Sequence, residues 1–365
     1  MQAIPPTSIL FIILCLGGLL GCIRVGRFSL GTAGILFVAI AMGFAITGSP
    51  CGESVTYISE LGRTAKAFST LGSAIFVSII GLATGRAIIG RAQGGLACFL
   101  VGSIMSGMAI AVMKVIAACD VSVSRSALWG ALCGALTSTP GLSAVCEQVG
   151  IAGAEAVWGY SGAYLPGVIL TVVSAGRLCN KRGHPPSRSS DHSREKQGTL
   201  AEIISIFGAS AVGSYLGSLS LPLLGSSLGS TCGILCAAIL GGMAVERLAG
   251  GLSSATLNAL RNGGLALFLA GTGLNAGMQA DGFSWRVILY GILITATALL
   301  TGYLLCKVIL SRAALHTGCV IAGGMTSSPA LGAILQQEGG VPIHQFSFAY
   351  LGALLSLVIA IPMIG

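Results

Sequence analysis

Charge is what this chain lacks. Asp, Glu, Lys and Arg together supply 8% of its 365 residues, and aromatic residues 6%. Soluble domains carry about 25% charged residues, so this composition excludes a water-exposed globule and leaves lipid as the solvent. The chain has only four histidines, no His-Glu-x-x-His and no aspartate dyad within an apolar run, so it offers no hydrolytic metal or carboxylate motif. A Gly-x-x-x-x-Gly-Lys loop is also missing, which excludes an ATP motor within this chain. Its twelve cysteines never form Cys-x-x-Cys or a Cys/His group at metal spacing, and they read as small buried apolar residues. The expectation is a protein that is not an enzyme and carries no cofactor and no metal.

What is abundant is apolar and small. Hydrophobic residues make up 54% of the chain, mean hydropathy is +0.91, and glycine contributes 55 residues, about twice its usual share. Many glycines fall four apart, as at Gly81 and Gly85 or Gly273 and Gly277, a spacing that lets helix backbones approach closely in a bilayer. Apolar runs near the length that crosses about 30 Å of hydrocarbon occur at about 7–22, 28–47, 70–90, 94–118 and 156–176. A second set lies at about 200–217, 222–243, 263–280, 284–306 and 344–363.

Between the fourth and fifth run of each set lies a Gly/Ser/Thr/Pro-rich stretch, and the two stretches hold one phrase twice. Gly134-Ala-Leu-Thr137-Ser138-Thr139-Pro140-Gly141-Leu142 recurs as Gly323-Gly-Met-Thr326-Ser327-Ser328-Pro329-Ala330-Leu331, an offset of 189 (326 minus 137). Gly72 to Gly85 recurs as Gly264 to Gly277, an offset of 192 (264 minus 72), and Ala163-Tyr164 recurs as Ala349-Tyr350. The fold expected is an all-α polytopic membrane protein of two inverted repeats. Each has five transmembrane helices and a re-entrant hairpin or broken helix before its last span. Its parts are a first repeat over 1–176, a basic cytoplasmic linker over 177–199 and a second, inverted repeat over 200–365.

The net charge of +8 does not point to nucleic acid, because the basic residues sit between apolar runs. With the linker inside, fourteen of the nineteen Lys and Arg fall on the cytoplasmic side, among them Arg261, in keeping with the positive-inside tendency. Arg63, Lys66, Lys114, Arg125 and Arg286 then fall outside, as do both termini. The expected location is a prokaryotic inner membrane, crossed many times.

These residues resemble the aspartate-alanine exchanger family of prokaryotic secondary transporters. Phe28-Ser-Leu-Gly-Thr-Ala-Gly-Ile-Leu-Phe37 is similar to the start of that family's second span, and Leu265-Ala-Leu-Phe268 with Gly273-Leu274 to its third-span motif. Thr137-Ser-Thr-Pro140 and Thr326-Ser-Ser-Pro329 are similar to its paired hairpin motifs. Familiar members carry cytosolic regulatory domains between the halves, where this chain has only the short linker. The resemblance implies a carrier that exchanges amino acids or dicarboxylates such as aspartate, alanine or succinate.

A broken helix presents unpaired N–H groups and positive partial charge, so an anion can be held there without lysine or arginine. The candidate substrate contacts are therefore Thr137, Ser138, Thr139 and Pro140 in the first hairpin, with Thr326, Ser327, Ser328 and Pro329 in the second. Asn275 and Gln336 add polar groups. The tip hydroxyls could equally cap backbone groups. Glu147, two turns into the half-helix after Pro140, is the candidate for coupling: it could bind a proton or cation, meet a substrate ammonium, or make a structural hydrogen bond. The reading is a secondary carrier, an exchanger, whose partners are a small anionic substrate and the bilayer. A sodium- or proton-coupled carboxylate symporter and a pore are the alternatives, and a homodimer is left open.

Overall fold

The structure is a computed structural model. It describes residues 4–25, 28–29, 32–48, 55–90, 94–150, 153–178, 199–218, 230–249, 254–278, 284–310, 316–327, 330–331, 334 and 343–361. It is all-α apart from a two-residue antiparallel ladder, β1 (Arg24–Val25) with β2 (Phe28–Ser29).

The first half runs α1 (Pro6–Cys22), α2 (Ala33–Thr47), α3 (Val55–Gly90), α4 (Gly95–Cys119), the short pair α5 (Arg125–Ala135) and α6 (Thr139–Val149), then α7 (Gly153–Arg177). The second half runs α8 (Thr199–Ser218), α9 (Ser230–Ala249), α10 (Ser254–Gly277), α11 (Arg286–Leu310), the short α12 (Thr317–Gly324) and α13 (Ile343–Ala360). Thr56–Arg86, Gly95–Cys119, Gly153–Arg177 and Arg286–Val308 are long and apolar enough to cross a membrane. The protein is polytopic and α-helical, as expected. Most of the expected linker lies outside the described residues.

Two helices begin well before their apolar runs. α3 starts at Val55 rather than about 70, and α10 at Ser254 rather than about 263. The added turns hold Arg63, Lys66, Ser69, Arg261 and Asn262, which lower local hydropathy without weakening the backbone ladder, since an α-helix satisfies its own N–H and C=O groups whatever its side chains.

Small residues bring the helices together, and the contacts come in counterpart pairs. A Cβ on Gly85 of α3 would fall onto Ile239 O of α9, and one on Gly277 of α10 onto Ile40 O of α2. A Cβ on Gly134 of α5 would strike Tyr160 O of α7, and one on Gly323 of α12 would strike Phe346 O of α13. At the centre, α3 crosses α10 at Gly72 and Gly264. A Cβ on Gly264 would lie 2.9 Å from Gly72 O and 3.0 Å from Phe76 N, while one on Gly72 would fall onto Phe268 N and Gly264 O. Exchanging each residue for its counterpart 192 positions away turns one contact into the other, so the crossing is reciprocal.

Overpacking a close backbone crossing costs about 1–3 kcal/mol. Gly72→Ala is therefore expected to lower the melting temperature in detergent. Gly107→Ala, where nothing lies within 4 Å of the added methyl, is expected to leave it unchanged or raised. Equal melting temperatures for the two variants would remove the crossing from the set of stabilising contacts.

Candidate functional site

The first hairpin is α5, a turn at Leu136–Ser138, and α6. Its backbone bonds, Thr137 N to Gly134 O at 2.9 Å and Ser138 N to Cys133 O at 2.7 Å, close a Schellman motif, which requires a left-handed residue at Thr137. Thr137 has φ 54° and Thr326 φ 47°, and they are the two non-glycine residues with positive φ among those described. The second hairpin repeats the bonds, with Thr326 N to Gly323 O at 2.8 Å and Ser327 N to Ala322 O at 2.9 Å. Glycine is the usual residue there, and a β-branched one costs about 1–3 kcal/mol. Turn geometry alone does not explain the threonines.

Their hydroxyls do. Thr137 Oγ1 donates to Met325 O and Thr326 Oγ1 donates to Leu136 O, both at 2.8 Å and both buried. Exchanging each residue for its counterpart 189 positions away (137 with 326, 136 with 325) turns one bond into the other, so the two tips are locked reciprocally. Helix ends this buried have no water to satisfy their last carbonyls, and every carbonyl closing α5 has a protein donor. Leu132, Cys133 and Gly134 accept from the turn's N–H groups, Ala135 O accepts from Thr295 Oγ1 of α11 at 3.1 Å, and Leu136 O takes Thr326. Ser106 on α4 stands where Thr295 stands on α11 (295 minus 106 is again 189), but its buried hydroxyl has no partner among the described residues.

The remaining tip groups also face inward. Ser138 caps α6, accepting from Gly141 N at 3.3 Å, and Ser327 accepts from Ala330 N at 3.4 Å. Thr139 Oγ1 lies 3.2 Å from the Tyr160 hydroxyl. Pro140 sits in the first turn of α6, where its absent N–H costs nothing. Gly141 N–H is taken by Ser138 Oγ and Leu142 N–H by Ser138 O. Ser328, Pro329 and Gln336 lie outside the described residues.

Beside the first hairpin is a cavity of about 510 Å³, within the usual range for small-molecule sites. One wall is a stripe of α3, Gly62, Lys66, Ser69, Thr70 and Ser73. Opposite it are Ser143 and Glu147 of α6, Ala154 and Val157 of α7, Ser230 and Thr231 of α9, and Phe268, Thr272 and Asn275 of α10. On each long helix these residues recur at three- and four-residue spacing, so they share one face. The Asn275 side chain lies against Gly62. The structure thus brings Asn275 and Glu147 into one cavity, with the tip threonines outside its lining.

Glu147 accepts from the N–H groups of Ser230 and Thr231, the latter at 2.8 Å. Its carboxylate therefore occupies the positive end of α9, one of the roles left open for it. Ser143 Oγ lies 3.2 Å from Thr231 Oγ1 on the same join. Lys66 is the cavity's one described cation, and away from the cavity Asp120 pairs with Arg286 at 3.0 Å. Thr70, Ser73 and Thr272 donate to carbonyls of their own helices, at 3.0, 3.3 and 2.7 Å, which leaves their oxygens as acceptors. The cavity thus combines one positive group with several neutral acceptors and an amide.

The profile of the aspartate-alanine exchanger family, described as a predicted permease membrane region, matches residues 9–179 and 205–365. The chain belongs to this family. Similar curated proteins include an uncharacterized transporter of Rhodopirellula baltica, 32% identical over 46% of this chain and 28% of its own length. Others are an uncharacterized transporter of Corynebacterium diphtheriae, 34% identical over 46% of this chain and 28% of its own length, and one of Corynebacterium glutamicum, 35% identical over 49% and 32%. The matches thus span less than a third of those relatives' length. Sequence reading missed Lys66, Ser69, Thr70 and Ser73. Their helical spacing was the available signal, hidden because Lys66 and Ser69 precede the apolar run while Thr70 and Ser73 stand at its edge.

Asp120, another charge near a span end, ties the loop after α4 to α11. It accepts from Ser122 Oγ at 2.6 Å, Ser122 N at 2.9 Å, Arg286 at 3.0 Å and the Tyr290 hydroxyl. The Ser122 hydroxyl first, then Tyr290, hold its carboxyl well below the usual carboxylate range.

Two outcomes follow. A buried carbonyl left without a donor costs about 1–3 kcal/mol, so Thr137→Val is expected to melt earlier than Thr137→Ser. The Thr137→Val/Thr326→Val double-mutant cycle is expected to show little coupling, because each threonine serves a different carbonyl; equal melting of Thr137→Val and Thr137→Ser would contradict the lock. For Asp120, a depressed folded-state pKa means stabilisation present above about pH 4 and lost as pH falls through the lowered value. The melting difference between wild type and Asp120→Asn is expected to shrink between pH 7 and pH 3, and an unchanged difference would contradict it.

Proposed function

We propose that the protein is a secondary carrier of small carboxylates, working as an exchanger by alternating access in a prokaryotic inner membrane. The observation that carries this reading is the cavity itself, where Lys66 stands among hydroxyls and Asn275 with no described carboxylate paired to it. Glu147 is already bonded to the start of α9, so a substrate carboxylate meets Lys66 without displacing a partner. The oxygens of Thr70, Ser73 and Thr272, with Asn275, suit a substrate ammonium. This combination favours an amino acid over a simple dicarboxylate.

In this reading the hairpin tips are the barrier. Their reciprocal threonine bonds hold α5 and α12 together, and the substrate sits beside them against α6. In the same reading the two halves are inverted repeats and the barrier lies near the bilayer midplane, where discontinuous helices of such carriers meet.

Reconstitution in proteoliposomes tests it. Wild type is expected to catalyse saturable counterflow of a radiolabelled substrate from a panel of L-aspartate, L-alanine and succinate, with and without a sodium gradient. Conductance without counterflow would point to a pore, and uptake that depends on sodium or a proton gradient without internal substrate would point to a symporter. A hydrogen bond to a charged group contributes about 1.5–3 kcal/mol, so Lys66→Gln is expected to raise KM by about 10- to 100-fold. Lys66→Arg is expected to raise it less. An unchanged KM in Lys66→Gln would remove the cavity from the substrate path.

A further inference from the structure

The reciprocal contacts between counterpart positions of the two halves have a chemical parallel on α10. The stripe that lines the cavity on α3 has a counterpart there, reached by adding 192: Ser69 corresponds to Arg261 and Thr70 to Asn262. The correspondence extends to environment. From 69 to 76 the positions run half-buried, exposed, exposed, buried, three half-buried and buried, and from 261 to 268 they repeat that order. Arg261 also sits near Tyr350 of α13, and α13 is the counterpart of α7, which forms part of the cavity wall on the other side. Each half therefore places one cation on the same face of its third long helix, Lys66 on α3 and Arg261 on α10, one turn apart in register.

We propose that the face of α10 around Arg261 and Asn262 is a second carboxylate-binding subsite, reached from the opposite side of the membrane when the cavity at Lys66 is closed. It rests on the carrier reading above. When two halves related by a two-fold axis exchange conformations, the cavity lost in one half reappears in the other, lined by counterpart residues. An anion leaving Lys66 on one side then meets Arg261 on the other. The chemistry differs between the two: Lys66 offers a compact point charge, and Arg261 a planar fork that fits a carboxylate through two parallel bonds. The distribution of basic residues sets the direction, with Lys66 outside and Arg261 cytoplasmic.

Two measurements test the subsite. In the first, Thr70→Cys and Asn262→Cys are treated with a membrane-impermeant maleimide in intact cells and in inside-out vesicles, and modification at each position is read by mass spectrometry. Thr70→Cys is expected to be labelled from the outside and Asn262→Cys from the cytoplasmic side; labelling of both from one face would overturn the proposal. In the second, counterflow of radiolabelled L-aspartate and succinate is measured from each face. Lys66→Gln is expected to raise the external KM by about 10-fold or more and Arg261→Gln the internal KM by a similar factor, with Arg261→Lys closer to wild type. Arg261→Gln with KM unchanged from both faces, in a wild type that exchanges, would overturn the subsite alone. Absence of exchange in wild type would overturn the carrier reading instead, while the labelling pattern would still decide whether the two faces open to opposite sides.

Discussion

A helix broken inside the protein has no water to satisfy its ends, and the lock between the buried hairpin tips is this protein's answer. Thr137 and Thr326 each supply a hydroxyl to a carbonyl at the end of the other's half-helix. Without a donor from the partner hairpin, each tip would hold an orphan acceptor in a medium where nothing else can satisfy it. The strained φ of both threonines follows from this constraint. Glycine would suit the turn, but it has no hydroxyl to give. The backbone break and the reciprocal contact of the two tips meet at this pair of bonds.

In the carrier proposed above, sealing and recognition fall to different parts of the architecture. The tip hydroxyls are spent on carbonyls, on caps and on Tyr160. The groups free to meet a solute are carried instead on continuous helices, α3 and α10, and on the second arm of the first hairpin. Regular helices hold such groups more firmly than a turn does, because each backbone group is bonded within its own segment. The hairpin's part is to bring α6 against α9, where the Glu147 carboxylate and the Ser143–Thr231 pair close one end of the cavity.

Much of the fold was legible in the sequence because hydropathy reports directly on what lipid demands. Helix ends such as Cys22, Cys119 and Arg177 fall close to the ends of their apolar runs. The duplicated Thr-Ser-x-Pro phrase located both hairpins, since proline and glycine mark where a helix must break. The mutual contact of the tips was also readable as a meeting of hairpins. Which atoms would bond was not, because a hydroxyl can serve a ligand or a backbone carbonyl and composition does not tell them apart. The cavity's α3 wall escaped for a related reason. Lys66 and Ser69 belong to helical turns that the hydropathy signal had clipped, Thr70 and Ser73 stand at the edge of the apolar run, and Asn275 was found only because it interrupts a glycine-rich run.

The carboxylate of Glu147 makes two parts of the chain one mechanical piece. It grips both N–H groups that open α9, so α6 cannot move without α9 following or this joint breaking. Beyond that joint, α9 is wedged against α3 at Gly81 and Gly85, where added methyls would strike Ala238 and Ile239. A push on the hairpin arm is therefore delivered, through one side chain and two glycines, to the back of the helix whose front carries Lys66. The chain has built a closed linkage, in which the cavity's α3 wall and the α6 arm of the hairpin are geared to each other.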